Sequence, residues 1–278
     1  MGKISDDAKI HYFEKVKEYK QVLDTILQRE KNMLALIDKD AAGAAYKKLT
    51  LAGDNLNLAS YYVLLNEVSL ALLAIKNENF LNEARKICYK SIIYLEDVVT
   101  NAIDAPYSEL KEKLEQIEGF EDEKRYTLVR KLGFTIQSVI DGFGSNSKWK
   151  WSFVELEGRF ATVTKNLINM KTLVAGLDPR VEGYEARVGH LNLAKDVLQK
   201  SADRYRQKYE LSTLRIDDFK LAISYLSAIK RLHAILGETE NVEITRKKIE
   251  VWTQKMDDDD KRSEGKKHEH KPAVEQRS

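Results

Sequence analysis

The stretch SDDAKIHYFEKVKEYKQVLDTILQREKNMLALIDKD, Ser5 to Asp40, contains no glycine and no proline. Its apolar residues Tyr12, Val16, Tyr19, Leu23, Ile26, Met33 and Ile37 recur at alternating spacings of three and four, broken once at Glu30. That spacing is the seam of a coiled coil, narrower than the apolar stripe of an ordinary globular helix. Glu14, Lys15, Lys17, Glu18 and Lys20 flank the seam as a solvated face, and Asp6 and Asp7 in the first turn complement the helix dipole. The stretch therefore predicts one helix of about nine turns, ~50 Å long. A helix of that length protrudes unless another long helix lies beside it.

Working outward, Ala41-Ala42-Gly43-Ala44-Ala45 either bends this helix or ends it, because one glycine costs only about 1 kcal/mol against alanine. Gly53-Asp54-Asn55 reads as a firmer turn, followed by helices over 55–76 and 79–102 that are more apolar than the first and belong in the core. Asp104-Ala105-Pro106 opens a short helix closed by Gly119, and a further helix spans 121–141. The segment 141–148 is the clearest loop and divides the chain into two helical halves, 1–140 and 149–256. After it, Ser152 with Glu155 has the form of a capping box, with Trp151 stapled on Leu156. Asp178-Pro179 repeats the start signal for a helix reaching about Leu211, and Gly183 and Gly189 inside it, if they do not break it, mark close approach of another backbone. Two more helices follow, the last from Thr239 to about Met256. Residues 257–278 hold seven acidic and six basic side chains and one Val, the pattern of a disordered charged tail.

With three prolines and thirteen glycines in 278 residues, the chain has too little punctuation for many short strands. The expected fold is all-α, an elongated bundle of long antiparallel helices with coiled-coil character. Forty-six Lys and Arg against 44 Asp and Glu leave a net charge of +2, so bulk charge argues against nucleic acid or an anionic membrane as the partner. The single cysteine, Cys88, excludes an internal disulfide or a Cys-rich zinc site and reads as a small buried hydrophobe. Residues 56–75 are interrupted by Asn57, Asn66 and Glu67, which reads as too polar for membrane insertion. The N-terminus has no apolar export region, so the chain as written reads as cytoplasmic, or periplasmic if Met1-Gly2 replaces an export signal.

Chemistry finds little foothold. No Glu stands three residues before a histidine, so a di-iron bundle is dropped, and no phosphate-cradling glycine motif is present. His11, His190 and His233 are scattered and read as surface or satisfied core residues; His268 and His270 belong to the charged tail. No catalytic residue, cofactor, metal or small-molecule substrate is expected. The one segment that asks for a partner is Lys148-Trp149-Lys150-Trp151, where tryptophans alternate with lysines. Trp151 has its staple role, which leaves Lys148, Trp149 and Lys150 as the candidate partner-binding residues, with Trp149 as an exposed anchor on a loop. The expected function is a non-enzymatic structural or protein-interaction component of a larger assembly, bound to a protein partner or to further copies of itself. The alternative is a nucleic-acid-associated helical factor that stacks the same loop on bases while its lysines meet phosphate.

A Gly-Phe-Gly loop at 142–144 running into Lys148-Trp149-Lys150-Trp151-Ser152-Phe153-Val154-Glu155-Leu156-Glu157-Gly158-Arg159-Phe160, together with the long helices and the lysine-rich tail, resembles spirochaete proteins. Among these it is similar to the flagellar-coiling proteins that sheathe the periplasmic filament. The resemblance implies an exported, non-enzymatic, flagellum-associated assembly protein and carries over no defined functional residue.

Overall fold

A computed structural model describes residues 4–144 and 147–269. Those residues form ten α-helices and no strand, so the fold is all-α as expected. The chain divides into two compact units, Met1–Val197 and Leu198–Ser278.

In the first unit, α1 (Asp6–Lys39) opens on Ser5, whose Oγ accepts from the Ala8 amide at 3.1 Å. Its buried residues are Val16, Leu23 and Glu30, one every seven residues. α1 ends at Lys39 with Asp40 extended, and from Gly43 at φ +65° α2 (Ala44–Leu73) returns antiparallel to it. Tyr19 meets Tyr61 with ring centroids at 5.7 Å, and Asn55 donates to Glu30 at 2.9 Å. Gly53-Asp54-Asn55 is not the expected turn. It lies inside α2, because α1 satisfies the two turn-forming side chains: Arg29 pairs with Asp54 at 3.0 Å and Glu30 holds Asn55.

Leu51, Leu56, Leu58 and Leu65 of α2 pack with Leu81, Cys88, Ile92 and Leu95 of α3 (Glu78–Val98), all almost wholly buried. After the short α4 (Tyr107–Glu115), α5 (Asp122–Phe143) and α6 (Lys150–Asn166) add Val129, Leu132, Ile136, Phe153, Leu156 and Val163 to the same core. The loop at 141–148 is therefore not the expected boundary between halves. The helices on either side of it share one core, with Phe143 and Phe153 rings 5.6 Å apart. By length and composition alone α2 is apolar enough to cross a membrane, a test that the core helix of a soluble protein also meets.

The expected helix up to Gly176 ends early, at Asn166, and is followed by the four-residue α7 (Met170–Leu173) and a 3-10 turn. Asp178-Pro179 opens no helix: Asp178 turns back on Arg180, and α8 (Tyr184–Lys208) starts after Gly183 at φ +78°. The division between units falls within α8.

In the second unit the end of α8 passes through a π turn, Tyr209–Thr213, and Leu214 at φ +50° into α9 (Ile216–Ile235). Tyr209 stacks on Phe219 at 4.9 Å, and Phe219 packs on Trp252 of α10 (Thr239–Glu269) at 6.0 Å. α10 overruns the expected end at Met256. Residues 257–269, read as the start of a disordered tail, continue the helix; residues 270–278 of that tail lie outside the described residues. The extension is supported one turn apart by Lys255 with Asp259 at 2.9 Å and Gln254 with Asp258 at 3.0 Å, and Asp259 also accepts from Tyr209 Oη at 2.9 Å.

Candidate functional site

The segment 147–152 is built as a helix start, one turn earlier than the capping box placed it. Ser147 Oγ accepts from the Trp149 amide at 3.1 Å, Trp149 occupies the cap position, and α6 begins at Lys150. Ser152 is already inside the helix. Its Oγ accepts from Arg85 Nη1 and its carbonyl from Tyr89 Oη, each at 3.0 Å, so α3 uses it as a tie.

Both tryptophans are half-buried, so Trp149 is not the exposed anchor expected of it. Trp149 packs against the core of the first unit, with the Arg85 guanidinium 4.1 Å from its ring centroid. Its indole N–H and Arg85 Nε are buried, and among the described residues neither has a hydrogen-bond partner. Trp151 does not belong to that core, and Lys150 Nζ lies 5.1 Å over its ring. Lys148 and Lys150 are exposed; Lys148 Nζ is 3.9 Å from Glu78 and 5.6 Å from the Trp149 ring. The expected partner-binding trio is thus two exposed cations on either side of a half-buried ring.

Two polar clusters escaped the reading of the sequence. Between α1, α2 and α3, the Glu30 carboxylate is 5% exposed and accepts from Asn55 Nδ2 at 2.9 Å, Lys90 Nζ at 2.5 Å and Tyr94 Oη at 2.9 Å. Burial opposes its ionisation, yet these three hydrogen bonds outweigh burial and hold the carboxyl below the usual carboxylate range. The break in the α1 seam at Glu30 was the visible signal.

The second cluster surrounds the end of α6. Arg125, 1% exposed, donates to the carbonyls of Phe120 at 2.5 Å, and of Ile117 and Leu167 at 2.9 Å, so it closes three chain ends at once. Burial lowers its pKa. His190, also buried, contacts the Thr164 carbonyl at 2.8 Å and stacks on Tyr126, and burial pushes its pKa down to about 4, leaving it neutral. Beside them lies a cavity of about 550 Å³ with Glu118, Glu121, Asp122, Glu123 and Glu182 along its lining, where Arg187 Nε meets Asp122 at 2.6 Å. Each of these cations is spent on a backbone carbonyl or a carboxylate of the fold. No group of three or more His, Cys, Asp or Glu side chains is arranged to hold a metal ion among the described residues. Cys88 is buried, and burial pushes its thiol up to about 12, where it is inert as a nucleophile.

A model of the TP0443 family matches residues 8–260, which takes in both units. The chain belongs to the TP0443 family. This is a spirochaete family, from Treponema, which agrees with the coarser part of the resemblance in the 142–160 segment. No curated protein and no solved structure matches the chain.

Proposed function

We propose that this member of the TP0443 family is a non-enzymatic helical component of a larger protein assembly, in contact with its partners through the outward faces of its helices. The observation that carries the reading is α2. Its most apolar eighteen-residue window has the composition of a membrane span, yet only 33% of that window is buried. Leu64 and Leu70 remain 43% and 47% exposed along its outer side. A helix of that composition gains by covering its second face, and exposed apolar surface of this kind marks a site of protein contact. The assembly suggested by the resemblance is the periplasmic flagellar sheath; membership in a spirochaete family supports that choice of where to look for the partner.

The nucleic-acid alternative needs the Trp149 ring free for stacking. Against it stand the Arg85 guanidinium over that ring and the packing of the ring on the core. A pull-down from the native cell at low and high salt separates the two readings. Recovery of a protein partner at both ionic strengths, lost with Leu64→Glu and Leu70→Glu together, is the expected result. Recovery of nucleic acid that falls steeply with salt and needs Lys148 and Lys150 supports the alternative.

A further inference from the structure

We propose that α1 is exchangeable: the α1–α2 hairpin opens at residues 40–43, and two copies of the chain trade their first helices. The inference goes beyond the proposed function, since it concerns a groove that α1 already fills and does not depend on the outer face of α2.

Three observations carry it. The first is the hinge. Asp40 to Gly43 is exposed and touches no core, and it is held only by local bonds: Asp40 Oδ1 accepts from the Ala42 amide at 2.8 Å, and Lys47 Nζ donates to the carbonyls of Asp40 and Ala42. Gly43, at φ +65° with open space where a Cβ would stand, makes the turn. Its neighbours are two alanines on each side, the strongest helix formers, so local preference favours a helix running straight through, opposed by one glycine. The opened form is a single helix from Asp6 to Leu73, roughly 100 Å long.

The second is the modest hold on α1. In 34 residues it buries only Val16, Leu23 and Glu30, with Tyr12, Tyr19, Ile26, Met33, Leu34 and Ile37 half-buried against the core. The third is the occupant. Once α1 leaves, Asn55, Lys90 and Tyr94 lose the carboxylate that joins them, and Glu30 loses all three donors. A buried carboxylate without partners is strongly unfavourable, so a bare α1 or an α1–α1 pair with two facing Glu30 residues is excluded. The groove that answers α1 is the α2–α3 groove of a second copy, which offers the same three donors at the same register. Exchange then preserves every native contact and changes only the hinge.

Reciprocal charge reversal tests this on the full chain. Glu30→Lys sets two cations facing each other in the closed hairpin, and Lys90→Glu sets two carboxylates facing. When the two variants are mixed and refolded, exchange restores an opposite-charge pair at both sites of a one-to-one dimer. The expected result is a mixed dimer by native mass spectrometry that melts above either variant alone. A mixture that melts as the two variants separately, or dimers that form as readily within each variant as between them, overturns the proposal. If neither variant folds alone, co-expression decides: a soluble one-to-one dimer supports exchange and joint insolubility overturns it. Gly43→Ala gives an independent reading, because it strains the turn and favours the continuous helix, and should raise the dimer-to-monomer ratio on the order of tenfold. A strictly monomeric Gly43→Ala chain at concentrations that saturate the mixed dimer also overturns it.

Discussion

At the scale of single residues, the two neighbouring tryptophans show how position in the fold outranks position in a motif. Trp149 is clamped between Arg85 and the core, while Trp151, also half-buried, lies outside that core with Lys150 over its ring. Trp149→Ala should therefore destabilise the protein by about 2 kcal/mol, through lost burial and the lost cation–π contact, and Trp151→Ala by clearly less. Urea unfolding of the two variants checks the order; equal losses would mean that both rings are core. His190 sets a pH dependence. Its pKa of about 4 in the fold lies below the ordinary histidine value of 6.5 expected for the unfolded chain. As pH falls below 6.5 the unfolded chain takes up a proton that the folded chain refuses, so stability drops down to about pH 4 and then levels. The total loss is about 3 kcal/mol. His190→Gln should flatten the stability profile across that window, measured by denaturant midpoints between pH 7 and pH 4. A profile as steep as wild type would assign the acid sensitivity elsewhere.

At the scale of elements, periodicity located every long helix, and the errors cluster at their ends and at internal glycines. Gly53-Asp54-Asn55 has turn composition, but its side chains are bonded to α1, so α2 runs through it. The charged stretch after Met256 has tail composition, but one-turn pairs and Tyr209 keep it helical to Glu269. What approaches Gly189 is not the expected backbone but a ring: a Cβ there would stand 2.6 Å from Tyr126, which itself stacks on His190. Gly189→Ala gains about 1 kcal/mol of helix propensity yet has to displace a packed ring. The net effect should be a loss of about 1–3 kcal/mol, read from thermal or urea unfolding. A stabilised Gly189→Ala variant would show that Tyr126 moves freely.

At the scale of the whole molecule, the chain holds two cores, and a defect in one should be felt there first. Trp252, 4% exposed against Phe219, belongs to the second unit. Trp252→Ala should remove about 3–5 kcal/mol from that unit, with amide exchange rising in α9 and α10 while α2 and α3 keep their protection. Equal loss of protection in α2 would mean that the units unfold as one. The amino-acid order by itself determined that the protein is helical and that α1 is one long helix with a narrow apolar seam. These follow from local spacing, because helix period and turn chemistry are read within a few residues. Tertiary structure alone decided that the helices before and after the 141–148 segment share one core, that Trp149 packs against it, and that Glu30 is a buried carboxylate with three donors. Each of those depends on residues dozens of positions apart, such as Arg85 with Trp149 or Glu30 with Lys90. The physical reason is that burial and hydrogen-bond satisfaction belong to the space between helices, and no local pattern in one helix names the side chains that the next will bring to it.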